Sequence, residues 1–274
     1  MAFEEGDASG WDECLPSVAA CTVVTDGKAT AIPDHGDLWR VQWEKPGTAT
    51  RDEGPDRKKD ASATLIGKCF SLPLELERWL SLSETGDGWR LDLHYKLTNK
   101  GDHAAAWSWA AHPLFAAEKG DRIVLPKSIR SLRLEGSGGG RLGKTGDLVT
   151  WPVATLANGS TDDLSVADAS NAGIGDKLFA GPLSAEENWC ALERVSAGIR
   201  IRVRFDAAAT PYLGLWICYG GWPEKAGPKQ ACVAMEPSTA PVDSLAARGA
   251  WSRVLERGET FCWSMQVELE ATER

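Results

Sequence analysis

Alternation with a period of two runs through this sequence and leaves little room for helices. Between positions 74 and 82, Leu74, Leu76, Leu80 and Leu82 share one parity while Glu75, Glu77 and Ser81 share the other. The turn Thr85-Gly86-Asp87-Gly88 follows, after which Leu91, Leu93, Tyr95 and Leu97 alternate with Arg90, Asp92, His94 and Lys96 from Trp89 to Thr98. Successive side chains of a strand point to opposite faces, so the two segments read as a hairpin with one wet and one apolar face. The pattern recurs in Ile199, Ile201, Val203 and Phe205 against Arg200, Arg202 and Arg204, and again from Phe261 to Leu269. Further strands are predicted near 17–24, 38–43, 62–72, 104–110, 121–125, 129–134, 147–151, 188–195, 212–218 and 230–236, and one short helix near 242–250. Strands that follow one another through Gly, Asp and Asn turns, without intervening helices, indicate an all-β antiparallel sandwich or barrel.

With 274 residues the chain can bury a full core, and a single domain over 1–274 is the simplest organisation. Glu44 to Asp60 is polar and charged and Leu156 to Asp176 is rich in Asn, Ser, Asp and Gly; both read as loops within that domain. A content of 43% hydrophobic and 25% charged residues is that of a globular chain. No apolar run reaches the ~18 residues of a membrane helix. The first residues carry neither a basic nor an apolar stretch, so no secretory signal is read and a cytoplasmic location is expected. A net charge of −9 repels phosphate backbones and argues against nucleic acid as a partner. The seven cysteines form no C-x-x-C pair, which suggests reduced, packed thiols and no zinc site.

Residues 138 to 145, Gly-Gly-Gly-Arg-Leu-Gly-Lys-Thr, satisfy the letters of a phosphate-binding loop. Such a loop works by opening a helix whose N-terminal amides meet the phosphates. Here Gly146-Asp147 and the strand-like Leu148 to Pro152 come next, so the segment reads as a Gly-rich hairpin loop. The row Arg200, Arg202, Arg204 reads likewise as a solvated strand face rather than an anion site.

Four histidines remain to be sorted. His94 falls on the wet face of its strand and His103 in a turn. His35 and His112 instead lie in apolar segments that carry Trp, where each is either a hydrogen-bonded structural histidine or a site residue. The cluster Asp34-His35-Gly36-Asp37 lacks a second group at metal-ligand spacing. Glu236 follows the apolar run Ala231 to Met235 and precedes Pro237, which places it at a strand end. It is either an ordinary terminal acid or, half out of water, a carboxylate of raised pKa suited to proton transfer. Arg78 shares parity with the leucines of its strand, so it points inward and needs a buried acid or a ligand.

The segments Gly10-Trp11-Asp12-Glu13-Cys14-Leu15-Pro16, Ile32 to Trp39, Leu93 to Asn99 and Ala111-His112-Pro113-Leu114-Phe115 stand in this order along the chain. Pro211 to Trp216, Gly220-Gly221-Trp222-Pro223 and Val233 to Thr239 complete the set. Together they resemble the galactose mutarotase (aldose 1-epimerase) family over roughly residues 10 to 268. The resemblance implies a β-supersandwich of large antiparallel sheets with a sugar cleft, and an isomerase that interconverts the α and β anomers of a hexose. It assigns the acid to His112, the base to Glu236 and a sugar contact to His35, and it implies neither metal nor organic cofactor. Family chains carry several strands and a sugar-binding arginine ahead of the segment matched by Gly10 to Pro16. This sequence starts nine residues before it, so a sandwich short of those strands is expected, with Glu13 or Arg78 as a replacement polar contact. Two alternatives stand beside an active mutarotase: a carbohydrate-binding homologue without turnover, and an epimerase of a phosphorylated sugar, which requires Arg78 or Lys177 to face the cleft.

The sequence holds 13 Trp against 6 Phe and 3 Tyr. Sugars present apolar C–H faces that stack on flat rings. Trp39 and Trp222 are the two expected to line the sugar cleft, the others being mostly core.

Overall fold

The computed structural model describes residues 3, 10–25, 27–46, 61–223, 228–247, 249 and 251–272. In chain order the first strands are β1 (Trp11–Cys14), β2 (Cys21–Thr25), β3 (Lys28–Ile32), β4 (Ala61–Lys68), β5 (Leu74–Glu84), β6 (Gly88–Asn99) and β7 (Ala105–Trp107). Next come β8 (Ala110–Ala116), β9 (Arg122–Val124), β10 (Ser131–Ser137), β11 (Leu148–Thr150), β12 (Val153–Thr155), β13 (Thr161–Asp163) and β14 (Ile174–Ala180). The last are β15 (Trp189–Arg194), β16 (Ile199–Phe205), β17 (Tyr212–Tyr219), β18 (Ala231–Ser238), β19 (Arg253–Leu255) and β20 (Thr260–Ala271).

Two seven-stranded antiparallel sheets carry the fold. The first runs β1-β8-β18-β17-β14-β10-β11 and the second β4-β5-β6-β20-β16-β15-β9. The predicted hairpin of residues 74–98 is β5 and β6, paired Leu74 to Asn99 through Glu84 to Trp89. Parity then decides what meets between the sheets. Leu76, Leu93, Tyr95, Leu97, Val203 and Met265 of the second sheet face Leu134, Leu178, Leu213, Leu215, Val233 and Met235 of the first, all in one buried apolar cluster. Trp107, Trp109 and Trp263 join it, with Tyr95 stacked on Trp263 at 5.1 Å. No helix among the described residues is long and apolar enough to cross a membrane.

Several expectations need correction. Residues 38–43 are not a strand: Leu38–Arg40 form a single 3-10 turn. Asp37 is anchored to Phe70 and Ser71 on one side, and Trp43 Nε1 donates to the Leu38 carbonyl at 3.2 Å on the other, which folds the segment back on itself. The described residues of 242–250 form no helix. Their polar groups bond to residues 17–19 instead of along a helix: the Asp243 carbonyl accepts from Val18 N and Ala19 N at 3.0 and 2.9 Å, and Leu245 N donates to Ser17 Oγ at 3.0 Å. Residues 104–110 divide into β7 and β8 because Ser108 N and Trp109 N turn to Pro16 O and Thr239 Oγ1. The loop expected over Leu156 to Asp176 contains β13 and the start of β14. Most of the loop Glu44 to Asp60 lies outside the described residues.

The Gly-rich loop 138–145 does connect two strands, β10 and β11; Gly138–Gly140 form a single 3-10 turn, and a strand rather than a helix follows the loop. Arg141 is bound to Asp162 and Asp176, and Thr145 Oγ1 donates to the Glu135 carbonyl at 2.8 Å, so these two side chains of the loop are engaged within the protein. On β16, Arg200 meets Glu193 at 2.6 Å, Arg202 meets Glu270 at 3.3 Å and Arg204 meets Glu268 at 3.3 Å, an ion-pair row on the wet face.

Arg78 resolves as the partner of a buried acid in an ion pair. Its guanidinium donates to Glu13 Oε1 at 2.9 Å, Tyr95 OH donates to the same oxygen at 3.0 Å, and Trp109 Nε1 donates to Oε2 at 2.8 Å. Burial pushes the Glu13 pKa up, with Arg78 pulling against it. Glu13 lies on β1 in the first sheet and Arg78 on β5 in the second, so the pair crosses the sandwich. Deleting one member of a buried pair strands the other charge. Glu13→Ala is expected to lower the urea unfolding free energy by about 3–5 kcal/mol, and Glu13→Leu combined with Arg78→Met to recover most of that loss.

Candidate active site

The outer face of the first sheet, turned away from the core, carries the second set of buried polar groups. On β18, Met235 points into the core, so Glu236 points outward, yet none of its surface is exposed. Glu236 was expected at a strand end; the structure places it inside β18, which continues through Pro237 to Ser238. The environment nevertheless differs from a regular ladder. β18 and β8 pair at Ala234↔Leu114 and Ser238↔Ala110 but at none of the three positions between. Pro113 and Pro237 fall in that gap, and neither has an N–H to give. Counted through the gap, the register sets Glu236 opposite His112. The other neighbour of His112 is Asp12, paired with it across β1 and β8.

His112 Nε2 lies 3.5 Å from Glu236 Oε1. Oε1 accepts no hydrogen bond within the protein, and His112 Nδ1 is likewise unpartnered. A buried acceptor left unpaired costs about 1–3 kcal/mol. The other oxygen, Oε2, is bonded to Lys177 Nζ, which also lies 3.4 Å from Asp243 Oδ1. Burial pushes the Glu236 pKa above its ordinary 4.5, against the pull of Lys177. Burial, reinforced by the neighbouring His35 and the charge of Lys177, drives His112 well below 6.5. Burial opposes the charge on Lys177, but Asp243 and Glu236 outweigh it and hold the ammonium above its ordinary pKa.

His35 reaches the same place from the turn after β3. Its ring meets that of His112 edge-on at 4.9 Å, and its Nδ1 lies 3.3 Å from Asp34 Oδ2. Its backbone sits at φ 58°, in the left-handed region that non-glycine residues rarely occupy. Gly36 follows at φ +71°, where an added Cβ would come within 2.2 Å of the Leu15 carbonyl oxygen. Asp37 then turns away from His35: it is fully buried, and its Oδ2 accepts from Phe70 N, Ser71 N and Ser71 Oγ at 3.0, 2.9 and 2.6 Å. The cluster Asp34-His35-Gly36-Asp37 is therefore a built turn.

Aromatic rings cover the far side. Phe3 stacks flat on His35 at 3.6 Å, meets Trp39 edge-on at 5.2 Å and lies 6.2 Å from Trp222. Of the six residues singled out in the sequence, the structure brings His35, His112 and Glu236 into one chain of contacts, with Trp39 and Trp222 around Phe3. Arg78 lies apart, on the core side of the sheet. Sequence reasoning missed Phe3 and Asp243 and gave Lys177 no more than a conditional place. A signal for Lys177 was available: it shares parity with Gly175 and Phe179, a charge on a strand face otherwise without polar side chains, the same anomaly that singled out Arg78.

No protein-family model matches this sequence, and no curated protein does. Solved structures do match. The Slr1438 protein of Synechocystis sp. PCC 6803 superposes with a TM-score of 0.65 at 17% identity, over 96% of this chain and 78% of that one. A galactose mutarotase-like protein of Clostridium acetobutylicum gives 0.64 at 14% identity, over 98% and 82%. A galactose mutarotase related enzyme of Lactobacillus acidophilus gives 0.62 at 17% identity, over 96% and 83%. The fold is that of the galactose mutarotase-like proteins.

Because Gly36 fits only without a Cβ, Gly36→Ala is expected to destabilise the protein by at least about 2 kcal/mol, from the left-handed backbone and the clash with Leu15. Urea unfolding measures the loss.

Proposed function

We propose that this protein is an aldose 1-epimerase, a mutarotase acting on a free hexose in the cytoplasm. The observation that carries the reading is the buried Glu236 with its unpaired Oε1 opposite the His112 imidazole, under an aromatic cover. Opening a hemiacetal ring requires a base at the anomeric hydroxyl and an acid at the ring oxygen. Glu236 Oε1 takes the proton from the hydroxyl while His112, as imidazolium, gives one to the ring oxygen. The ring opens to the aldehyde, the C1–C2 bond turns, and closure on the opposite face reverses both transfers. The Glu236–His112 pair thus holds one proton at the start and one at the end. Each positioned group contributes about 10²–10⁴-fold. His35, Trp39 and Trp222 would hold the sugar, the tryptophans against its C–H faces.

The phosphorylated-sugar alternative required Arg78 or Lys177 to face the cleft. Lys177 does lie beside Glu236, but its charge is engaged there and by Asp243, and Arg78 is bound to Glu13 on the core side, which favours a neutral sugar.

Three outcomes are expected from anomer exchange followed by NMR on free and phosphorylated aldoses. Glu236→Gln and His112→Asn should each slow exchange by about 10²–10⁴-fold; exchange untouched by both would sink the mechanism, and saturable binding without exchange would favour a lectin-like role. The pH profile of kcat/KM should be a bell on the acid side of neutrality. Activity rises as Glu236 ionises, above 4.5, and falls as His112 loses its proton, below 6.5. Finally, Phe3 occupies the ring face of His35 that a sugar would use, so Phe3→Ala is expected to lower KM and leave kcat nearly unchanged.

A further inference from the structure

We propose that Lys177 is the positioning residue of this site: it crosses β17 to clamp one oxygen of Glu236 and so turns the other, Oε1, toward His112. This inference rests on the mutarotase reading. Lys177 and Glu236 stand on β14 and β18, which are separated by β17. Strands lie about 4.8 Å apart, so the ammonium must span roughly two spacings. Gly214 of β17 leaves the passage open. A Cβ there would lie 3.1 Å from Glu236 Oε2 and 3.2 Å from Phe179 Cε1, tighter than ordinary packing. Along the way the Lys177 ammonium lies 5.3 Å from the Phe179 ring.

The second anchor is independent of the first. Asp243 belongs to the loop after β18, and its backbone carbonyl accepts from Val18 N, Ala19 N and Ser17 Oγ while its N–H donates to Glu135 Oε1 at 3.3 Å. The ammonium is therefore hydrogen-bonded to the strand carboxylate of Glu236 and drawn by charge toward the loop carboxylate of Asp243, 3.4 Å away. A carboxylate held by one oxygen has little freedom left for the other, and a misplacement of 1 Å can cost on the order of 10²-fold in rate.

The charged and titratable groups around Glu236 are Lys177 from β14, Cys14 and Asp12 from β1, His112 from β8, Cys232 from its own strand, and His35 and Asp243 from the covering loops. Among them, the Lys177 charge lowers the proton affinity of both Glu236 and His112, whereas Asp243 raises that of Glu236.

The test is the exchange assay across pH on Lys177→Met, Lys177→Arg and Asp243→Asn, with thermal unfolding as a check on folding. Lys177→Met is expected to lower kcat on the order of tenfold to a hundredfold, leave KM nearly unchanged, and move both limbs of the bell to higher pH. Lys177→Arg should restore the limbs toward their original positions, and Asp243→Asn should move the acid limb to lower pH. A uniform loss of rate with unmoved limbs in Lys177→Met, or no loss at all, overturns the proposal. If Lys177→Met does not fold, Lys177→Arg and Asp243→Asn decide it by the same limbs. NMR titration of the His112 ring gives a readout without turnover: its pKa should rise in Lys177→Met. An inactive wild type whose His112 still responds would defeat the mutarotase reading and leave the Lys177 contact standing; an unresponsive His112 would defeat the contact itself.

Discussion

The carboxylate of Glu13 is the interaction on which the arrangement of the two sheets depends. It is fully buried between them, and its oxygens gather Arg78 and Tyr95 from the second sheet and Trp109 from the segment entering β8. Such a group stabilises the fold only while all its partners are present, since a charge stripped of water costs several kcal/mol unless it is fully paired. What it confers is register. Glu13 can meet Arg78 and Tyr95 at one position of β1 only, and a slip of one residue would turn it to the other face. Holding Glu13 inward holds Asp12 outward beside His112, so the core pair also sets the edge of the candidate site.

The first sheet is unusual in burying charged groups on both faces. Its inner face carries Glu13, while its outer face carries Glu236, Lys177 and His112, each less than a tenth exposed. The outer cover comes from the segment around His35 and the loop holding Asp243, tied together through residues 17–19. Between β8 and β18 the hydrogen-bond ladder is interrupted where Pro113 and Pro237 stand, and Glu236 and His112 occupy this gap. The left-handed His35 connects to Glu236 Oε1 through His112: the two imidazole rings are 4.9 Å apart and His112 Nε2 is 3.5 Å from that oxygen.

Much of this was legible in the order of the residues. Period-two alternation located most strands, and parity alone showed that Arg78 points inward and that Arg200, Arg202 and Arg204 point to water. His35, His112 and Glu236 stood out because each is polar in apolar surroundings. What parity cannot supply is which strands lie side by side. That Lys177 reaches Glu236 across β17, that Glu236 lies opposite His112, and that Phe3 returns to cover His35 are contacts between positions far apart in sequence. The residues near 38–43 and 242–250 misled for the same reason: their local pattern was overridden by hydrogen bonds to Phe70, Ser71 and Ser17.

Alternation along β8, β14 and β18 also shapes how such a protein can diverge. On these strands each residue of the candidate site has a core residue beside it in the chain: Ala111 precedes His112, Leu178 follows Lys177 and Met235 precedes Glu236. Insertion or deletion of a single codon in one of these strands would exchange the two sets, burying Glu236, Lys177 or His112 between the sheets and turning core side chains to the outer face. Length changes are therefore confined to the loops. The outer face can drift by point substitution, one side chain at a time, without disturbing the sandwich beneath it.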